Sequence, residues 1–275
     1  IEEALSRHRP RSFEFVDSLF NDPFDHCVAI LEELARRPWK AVFSATSLTP
    51  KNVDKDLLRL MWRVGFRSFH VSPESASTSM LRNYGKSFTS EDVTKTAQLI
   101  MHTRFKVLWF FMVGGPGETR NTFQETLDFC SHYLKNNGKQ CTQLANIMLG
   151  VRLYPGTRLW DIAQSEGIVT GSNEPLSQLW YFSPELDVKE TIDQMVDAAI
   201  SMPEIISGMD ERFMRFSRLL SLGARMLGSK TAYWTSIFHA NRLFRRALLP
   251  FVFDRQKIVA RIQGQLCKQR TPPQH

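Results

Sequence analysis

The feature that most constrains the fold is an unbroken run of seven apolar residues, 107–113, which leads directly into Gly114-Gly115-Pro116-Gly117. Such a run is typical of a strand that is buried on both faces of a parallel sheet. Apolar residues then recur at helical spacing between residues 122 and 134, so the sequence predicts a strand, a tight turn and a helix. The glycines would allow backbone N–H groups to approach a ligand near the positive end of the helix, although a purely structural turn is the alternative.

The same pattern of strand and helix repeats along the chain. Strands are predicted at residues 12–20, 39–46, 66–72, 107–113 and 143–153. Helices are predicted after them, at residues 23–34, 53–64, 90–102, 122–134 and 159–167. Strands that alternate with helices require right-handed crossovers in a parallel sheet. We therefore predict an α/β fold, a partial TIM-type (β/α) barrel of parallel strands with a C-terminal helical extension.

The changes in pattern divide the chain into four parts. Polar residues 1–10 indicate a linker, residues 11–168 the partial barrel, residues 169–188 a connecting segment, and residues 189–275 a helical, basic region. Further helices are predicted in that last region, at residues 191–201, 214–227 and 233–249.

The net charge of +7 is unevenly distributed along the chain. Residues 211–275 hold 13 lysines and arginines against two acidic residues, whereas residues 1–210 hold 22 against 26. A basic amphipathic helix in this tail could lie weakly on an anionic membrane surface or an acidic partner. The alternative is a helical cap on the barrel whose arginines are simply solvated. Nucleic acid is not expected as a partner.

The four cysteines, at positions 27, 130, 141 and 267, have neither metal-ligand nor redox spacing. Scattered cysteines are typical of reduced thiols, so we expect a cytoplasmic protein and no metal site in this chain. The sequence contains no stretch of about 18 apolar residues and no signal peptide. It does not begin with methionine, which suggests a piece of a longer protein.

Polar or glycine-rich residues follow every predicted strand. In a parallel sheet of this kind, ligands bind at the carboxyl ends of the strands. The segments that meet there are residues 17–21, 44–47, 72–77, 114–118 and 152–157. His70 lies two residues before Ser72 and so on the same face of its strand, which makes it a further candidate.

Four segments in this order resemble the radical SAM superfamily, and within it the class associated with a cobalamin-binding domain. They are residues 15–21, residues 72–77 followed by Met80, Leu81 and Lys86, residues 113–119, and residues 154–159. The resemblance covers roughly residues 11–168. It implies an enzyme that uses a 4Fe-4S cluster to cleave S-adenosylmethionine (SAM) reductively and so starts radical chemistry on a substrate that the sequence does not identify.

The resemblance also implies which residues surround SAM. The residues of the glycine-rich turn would flank the methionine and adenosine portions of SAM. The residues after the third strand would face its ribose or its amino group, with an aspartate nearby. The backbone of residues 151–154 would line the adenine. The implied cofactor-binding residues are Asp17, Ser72, Glu74, Ser75, Gly114, Gly115, Glu118, Arg152 and Tyr154. Three of them have structural alternatives. Glu74 could neighbour a helix N-cap, Asp17 could form a turn, and Arg152 could pair with Glu166 instead of a carboxylate of SAM.

The sequence departs from the family at the cluster. The family's C-x-x-x-C-x-x-C motif lies after the first strand, and no such motif is present. Because a cluster requires thiolate ligands, this chain alone should be inactive, and we expect the first strand, the cluster ligands and any cobalamin domain to lie upstream. An electron donor would then be needed, and catalytic residues are not identified. The alternative function is a non-catalytic SAM-binding or scaffold remnant with an attachment role for the basic tail.

Overall fold

The computed structural model of the protein describes residues 1–8, 10, 12–38, 40–135, 143–169, 179–202 and 204–207, together with the helical residues 219, 222, 223, 226, 259, 260 and 262–264. The predicted helices at residues 214–227 and 233–249 therefore lie largely or wholly outside the described residues, and so does most of the basic tail. None of the helices among the described residues is long and apolar enough to cross a membrane.

The core of the fold is a six-stranded sheet in the order β1-β2-β3-β4-β5-β8. All neighbouring strands in it are parallel. The strands are β1 (Phe13–Phe15), β2 (Phe43–Leu48), β3 (Phe66–Glu74), β4 (Lys106–Val113), β5 (Gln143–Leu149) and β8 (Ile205–Ser207). Strands β1 to β5 lie side by side in chain order, as is usual for strands joined by helices. The predicted α/β architecture is confirmed, and the strands among the described residues form an open sheet.

Helices connect the strands. They are α1 (Glu2–His8), α2 (Phe24–Arg36), α3 (Lys55–Val64), α4 (Thr78–Asn83), α5 (Ser90–Met101), α6 (Arg120–Phe129), α7 (Arg158–Ser165) and α8 (Val188–Ser201), and α6 continues into a π-helical turn, Cys130–Leu134. A second, two-stranded antiparallel sheet contains β6 (Val151–Arg152) and β7 (Trp180–Tyr181).

Local chemistry explains why these helices begin and end where they do. The Asp54 carboxylate accepts from Leu57 N–H at 2.7 Å and caps α3, and Gly65 ends it in the left-handed conformation. The Thr119 side chain caps α6 by accepting from Thr122 N–H. Side-chain caps thus fix where α3 and α6 begin.

The central strand β4 is packed on the helix-covered face by large aromatic side chains. Trp109 and Phe111 are fully buried, and both contact Phe129 of α6 edge to face. Trp109 also donates from Nε1 to Gln143 Oε1 at 2.9 Å, which joins β4 to β5. The buried apolar run predicted from the sequence is therefore the centre of the core.

Several segments differ from the sequence predictions. Residues 1–10, predicted as a linker, include α1, which is joined to α2 by an ion pair between Glu2 and Arg37. The first predicted strand is reduced to the three residues of β1. The predicted strand 143–153 is interrupted at Gly150, where a φ of 78° ends β5 and redirects the chain into β6.

The sheet also extends beyond residue 168, where the sequence placed its end. Helix α8 is followed by β8, which pairs with β5 through Ala145, Asn146 and Ile147. The region predicted to be only helical thus supplies a sixth strand. Burial of Ile205 and Ile206 explains why this short strand is held in the sheet.

Candidate functional site at the carboxyl edge of the sheet

The glycine-rich turn after β4 is organised by Glu118. This side chain is fully buried, and its Oε2 accepts from Gly114 N–H at 2.6 Å and from Gly115 N–H at 3.2 Å. Burial raises the pKa of Glu118 to about 7, while the two N–H groups and Tyr84 act in the opposite direction. Glu118 therefore holds the turn from within, and the N–H groups predicted to face a ligand are already engaged.

The glycines of this turn are required by the protein's own side chains. A Cβ on Gly114, whose φ is 103°, would lie 2.7 Å from the Phe182 ring, and a Cβ on Gly117 would lie 2.8 Å from the amide nitrogen of Asn83. A Cβ on Gly115 would overlap the hydroxyl and ring of Tyr84. Close approach explains all three glycines without a ligand, as the structural alternative for this turn supposed.

The segment after β7 closes over the turn from the other side. Ser183 N–H donates to Gly114 O at 2.9 Å, and the Ser183 hydroxyl donates to Glu118 O at 2.9 Å. Sequence reasoning missed this contact, because residues 169–188 showed no recognisable chemistry and were interpreted as a connection. A buried serine that follows an aromatic residue is too common a pattern to have revealed it.

Glu74, at the end of β3, has an unusual backbone. Its φ of 66° makes it the only non-glycine residue in the left-handed region within the described part of the chain. The side chain is mostly buried and forms an ion pair with Lys86. Burial raises the pKa of Glu74, and Lys86 opposes this shift. A strained, charged residue at a strand end is characteristic of functional sites.

The structural alternative for Glu74 is a position next to a helix N-cap. Ser77 is the N-cap residue of α4, and Glu74 lies three residues before it. Ser72 is partly buried and shares a face of β3 with His70, whereas the register with β4 shifts between Val71 and Glu74. Ser72 and Glu74 therefore stay predicted ligand contacts.

Tyr84 connects the ends of β3 and β4. Its buried hydroxyl lies against the Gly115 backbone and the Glu118 carboxylate. Burial raises the pKa of Tyr84, and the charges of Glu118 and Glu74 raise it further. Tyr84 therefore lies between the two predicted site carboxylates. No sequence pattern indicates this role, beyond the nearness of Tyr84 to Lys86.

Two further predicted residues, Ser75 and Asp17, follow the carboxyl ends of their strands. Ser75 is fully buried, and its hydroxyl lies 3.2 Å from that of Thr126 and accepts from Ser77 N–H at 3.1 Å. Its hydrogen-bonding capacity is thus used to join α6 to the start of α4. Asp17 is exposed in the segment after the edge strand β1. Both residues stay predicted ligand contacts.

Arg152 and Tyr154 are brought together beyond β5. The Arg152 guanidinium lies 5.1 Å from the centre of the Tyr154 ring, and half of Tyr154 is exposed. Glu166 accepts instead from the Tyr181 hydroxyl at 2.7 Å. Among the described residues Arg152 has no ion pair, so the alternative pairing with Glu166 is not formed. Its guanidinium is available to an anionic ligand group.

His70 lies deeper on the inner face of the sheet. It hydrogen-bonds to the Thr46 backbone, and its ring centre is 5.2 Å from that of Phe110. Burial lowers the pKa of His70 to about 4, so its imidazole is neutral at neutral pH. A neutral imidazole can hold a neighbouring group in place through a hydrogen bond, but it cannot act as a general acid at neutral pH.

The described residues do not form a site for an iron–sulfur cluster. Cys27 and Cys130 are separately buried, and burial raises the pKa of the Cys27 thiol to about 11 and that of the Cys130 thiol further. Within the described ranges no group of three or more histidine, cysteine or acidic residues could hold a metal ion. A cluster needs thiolates, so these residues do not fit one.

Comparison with known proteins agrees with the fold and with the sequence resemblance. The profile of the radical SAM superfamily matches residues 2–130 of this chain. This match confirms the resemblance to that superfamily, which is a family of enzymes. An uncharacterized methyltransferase of Pyrococcus horikoshii, PH0819, is 25% identical over 186 residues, which are 64% of this chain and 38% of that protein.

Solved structures of cobalamin-containing radical SAM enzymes share the fold. The methyltransferase TsrM from Kitasatospora setae, solved with cobalamin and a 4Fe-4S cluster, has a TM-score of 0.68 and 20% identity, covering 89% of this chain and 53% of that one. OxsB, a cobalamin-dependent SAM radical enzyme solved with aqua-cobalamin and SAM, has a TM-score of 0.51 and 12% identity, covering 100% and 50%. This chain thus spans about half of each of these structures.

Proposed function

We propose that this chain forms the SAM-binding part of a radical SAM enzyme of the cobalamin-associated class. The observation that carries the proposal is Glu74, a carboxylate held in a left-handed backbone at the carboxyl edge of the sheet and paired with Lys86. The match of the superfamily profile to the residues around it supports this assignment.

The charges at this edge suit the parts of SAM. Glu74 can accept hydrogen bonds from ribose hydroxyls or from the ammonium group, while Lys86 or the Arg152 guanidinium can bind the carboxylate. The half-exposed Tyr154 offers an aromatic surface next to this guanidinium. In this proposal SAM supplies the adenosyl or methyl group, and the turn held by Glu118 fixes the edge against which SAM lies.

The cluster and cobalamin belong to parts of the enzyme outside this sequence. The described cysteines do not fit a cluster, and the chain spans only about half of TsrM and OxsB. The names of two relatives favour methyl transfer as the reaction class. The substrate and the electron donor are not specified by these residues, and a cytoplasmic location stays a prediction.

Titration of SAM into the full-length protein, followed by calorimetry, tests this proposal. Glu74→Gln removes a charge-assisted hydrogen bond and should weaken SAM binding by about 1.5–3 kcal/mol, or roughly 10- to 150-fold. Glu91→Gln is the matched control, since Glu91 is exposed on α5. Equal SAM affinity in wild type and Glu74→Gln would contradict the placement of the site.

A second assay separates an enzyme from a non-catalytic scaffold. The full-length protein with its cluster reconstituted should form 5′-deoxyadenosine or a methylated product when SAM and a reductant are supplied. Binding of SAM without either product would favour the scaffold. The predicted attachment through residues 211–275 can be followed by sedimentation with anionic liposomes, where salt should release the protein.

A further inference from the structure

A cavity of about 690 Å³ opens at the other edge of the sheet, where the strands begin. Its walls are α3, α5 and residues 102–105, which lead into β4. In a parallel α/β sheet the ligand site lies at the carboxyl edge, so this cavity is separate from the site built around Glu74.

The floor of this cavity, which we call the α3–α5 groove, is apolar and rigid. Leu58 and Phe105 are almost fully buried, and Trp62 contacts Phe105 edge to face with ring centres 5.2 Å apart. The Arg67 guanidinium covers the Trp62 ring at 4.1 Å and donates to Trp62 O at 2.9 Å. Trp62 is thus fixed between two neighbours, which gives the groove a preformed aromatic wall.

The rim of the groove is cationic. Lys55, Arg59 and Arg63 follow one another at four-residue steps along α3, and His102 and Arg104 lie across from them. No acidic side chain lines the groove within the described residues. Successive cations on α3 are about 6 Å apart along the helix axis, because an α-helix rises about 1.5 Å per residue.

Local helix stability does not account for this rim. Cations near helix carboxyl ends are favoured by the helix dipole, which suits Arg63 and His102. Lys55, however, is the first residue of α3, where a positive charge is disfavoured. Among the described rim residues only Arg59 has an ion pair, with Asp56, and both side chains are largely exposed. Lys55, Arg63 and Arg104 form no ion pair with another described residue.

We propose that the α3–α5 groove docks an acidic amphipathic helix of a partner protein. Acidic side chains at four-residue steps on that helix would match Lys55, Arg59 and Arg63, and its apolar face would lie over Trp62 and Leu99. This combination of an apolar, aromatic centre and a charged rim is that of protein interfaces.

The shape of the groove argues against other anionic partners. A membrane surface is flat and would leave a concave, apolar floor unfilled. Single-stranded nucleic acid binds by stacking bases on aromatic faces, and here Arg67 occupies one face of the Trp62 ring and Phe105 lies edge to face with it. A helix is the element whose width and side-chain spacing fit between two helices.

Fluorescence anisotropy with a synthetic helical peptide tests the proposal on the full-length protein. The probe carries Glu at every fourth position with Leu beside each Glu. Arg59→Glu combined with Arg63→Glu should weaken peptide binding about tenfold or more, and salt raised from about 50 mM to about 500 mM should weaken wild-type binding similarly. Lys51→Glu with Lys135→Glu, two exposed sites outside the groove, is the control of equal charge.

Each outcome decides the proposal. Loss of binding in the groove variant but not in the control, with SAM affinity unchanged, supports it. Equal loss in both variants would show only general charge attraction, and no loss in the groove variant would remove the site. Binding of phosphatidylserine vesicles that needs Arg59 and Arg63, without peptide binding, would overturn the proposal in favour of a lipid surface.

Discussion

Replacing Glu118 by Gln separates the two functions that the structure gives this side chain. Gln keeps an oxygen that can accept from the N–H groups of Gly114 and Gly115, but it cannot ionise. Glu118→Ala removes the acceptor as well. The pair of variants therefore distinguishes the acceptor from the buried charge.

The expected change in the free energy of unfolding follows from the pKa of Glu118. The folded-state pKa of Glu118 is raised from 4.5 to about 7, so the stabilising contribution is fully present below pH 4.5 and is lost as the pH rises through about 7. A shift of this size corresponds to roughly 3 kcal/mol in the free energy of unfolding. A glutamine side chain does not ionise, so the Glu118→Gln variant does not lose this stability as the pH rises. We therefore expect Glu118→Gln to gain up to roughly 3 kcal/mol relative to wild type between about pH 4.5 and about pH 8.

Urea unfolding of both variants and the wild type over a series of pH values measures this difference. Glu118→Ala should lose roughly 3–5 kcal/mol at low pH, because two buried N–H groups are left without an acceptor. The reasoning would be refuted if the difference between Glu118→Gln and wild type were the same at about pH 5 and at about pH 8, because no titration of Glu118 would then occur in that interval.

Two further predictions concern neighbouring elements. Tyr84→Phe removes a group that lowers the pKa of Glu118, so the midpoint of the pH-dependent loss of stability should move upward, while Tyr133→Phe on the π-helical turn should leave it unchanged. Asp54→Ala removes the cap of α3 and should lower the free energy of unfolding, measured with urea, by about 1 kcal/mol. Asp56→Ala, at an exposed position in the same turn, is the control, and an equally small loss in both variants would contradict a capping role for Asp54.

The elements that the sequence predicted well have strong local signals. The run from Val107 to Val113 forms most of β4, in which only Phe110 and Met112 of the run are partly exposed. Helix α3 ends at Gly65 because only a glycine adopts its backbone easily. Asp54 and Thr119 mark helix starts by capping chemistry that is visible in the sequence. These features depend on few residues at short separation.

The elements that were missed depend on distant contacts. Strand β8 has only three residues, and its pairing with β5 spans about sixty positions of the chain, which no local pattern reports. The break at Gly150 is likewise set by the pairing of Val151 with Tyr181. Residues 2–8 are polar and were interpreted as a linker, although charged pairs can hold such a segment in a helix.

The sequence predicted which strand ends lie side by side, whereas the roles of the site residues stay predictions. The ends of β3 and β4 do lie together, joined by Tyr84, since neighbouring strands follow the chain order. Glu118 and Ser75, however, also form hydrogen bonds within the protein itself. Residue type and spacing show that a carboxylate or hydroxyl is present at a strand end, but they do not show in which direction its side chain points. That direction decides whether the group contacts a ligand or another part of the protein.

Gly115 offers a direct test of that distinction. If its lack of a side chain serves Tyr84, then Gly115→Ala should destabilise the fold by about 1–3 kcal/mol through overpacking, and Tyr84→Ala should relieve most of this cost in the double variant. If the glycine instead serves the ligand, Gly115→Ala should leave urea unfolding unchanged and abolish SAM binding in either background. Gly114→Ala is the matched control, because the backbone of Gly114 has a φ of 103°, which is strained for any residue with a side chain. Replacing the neighbouring Phe182 by a smaller residue should therefore restore only part of the stability that Gly114→Ala loses.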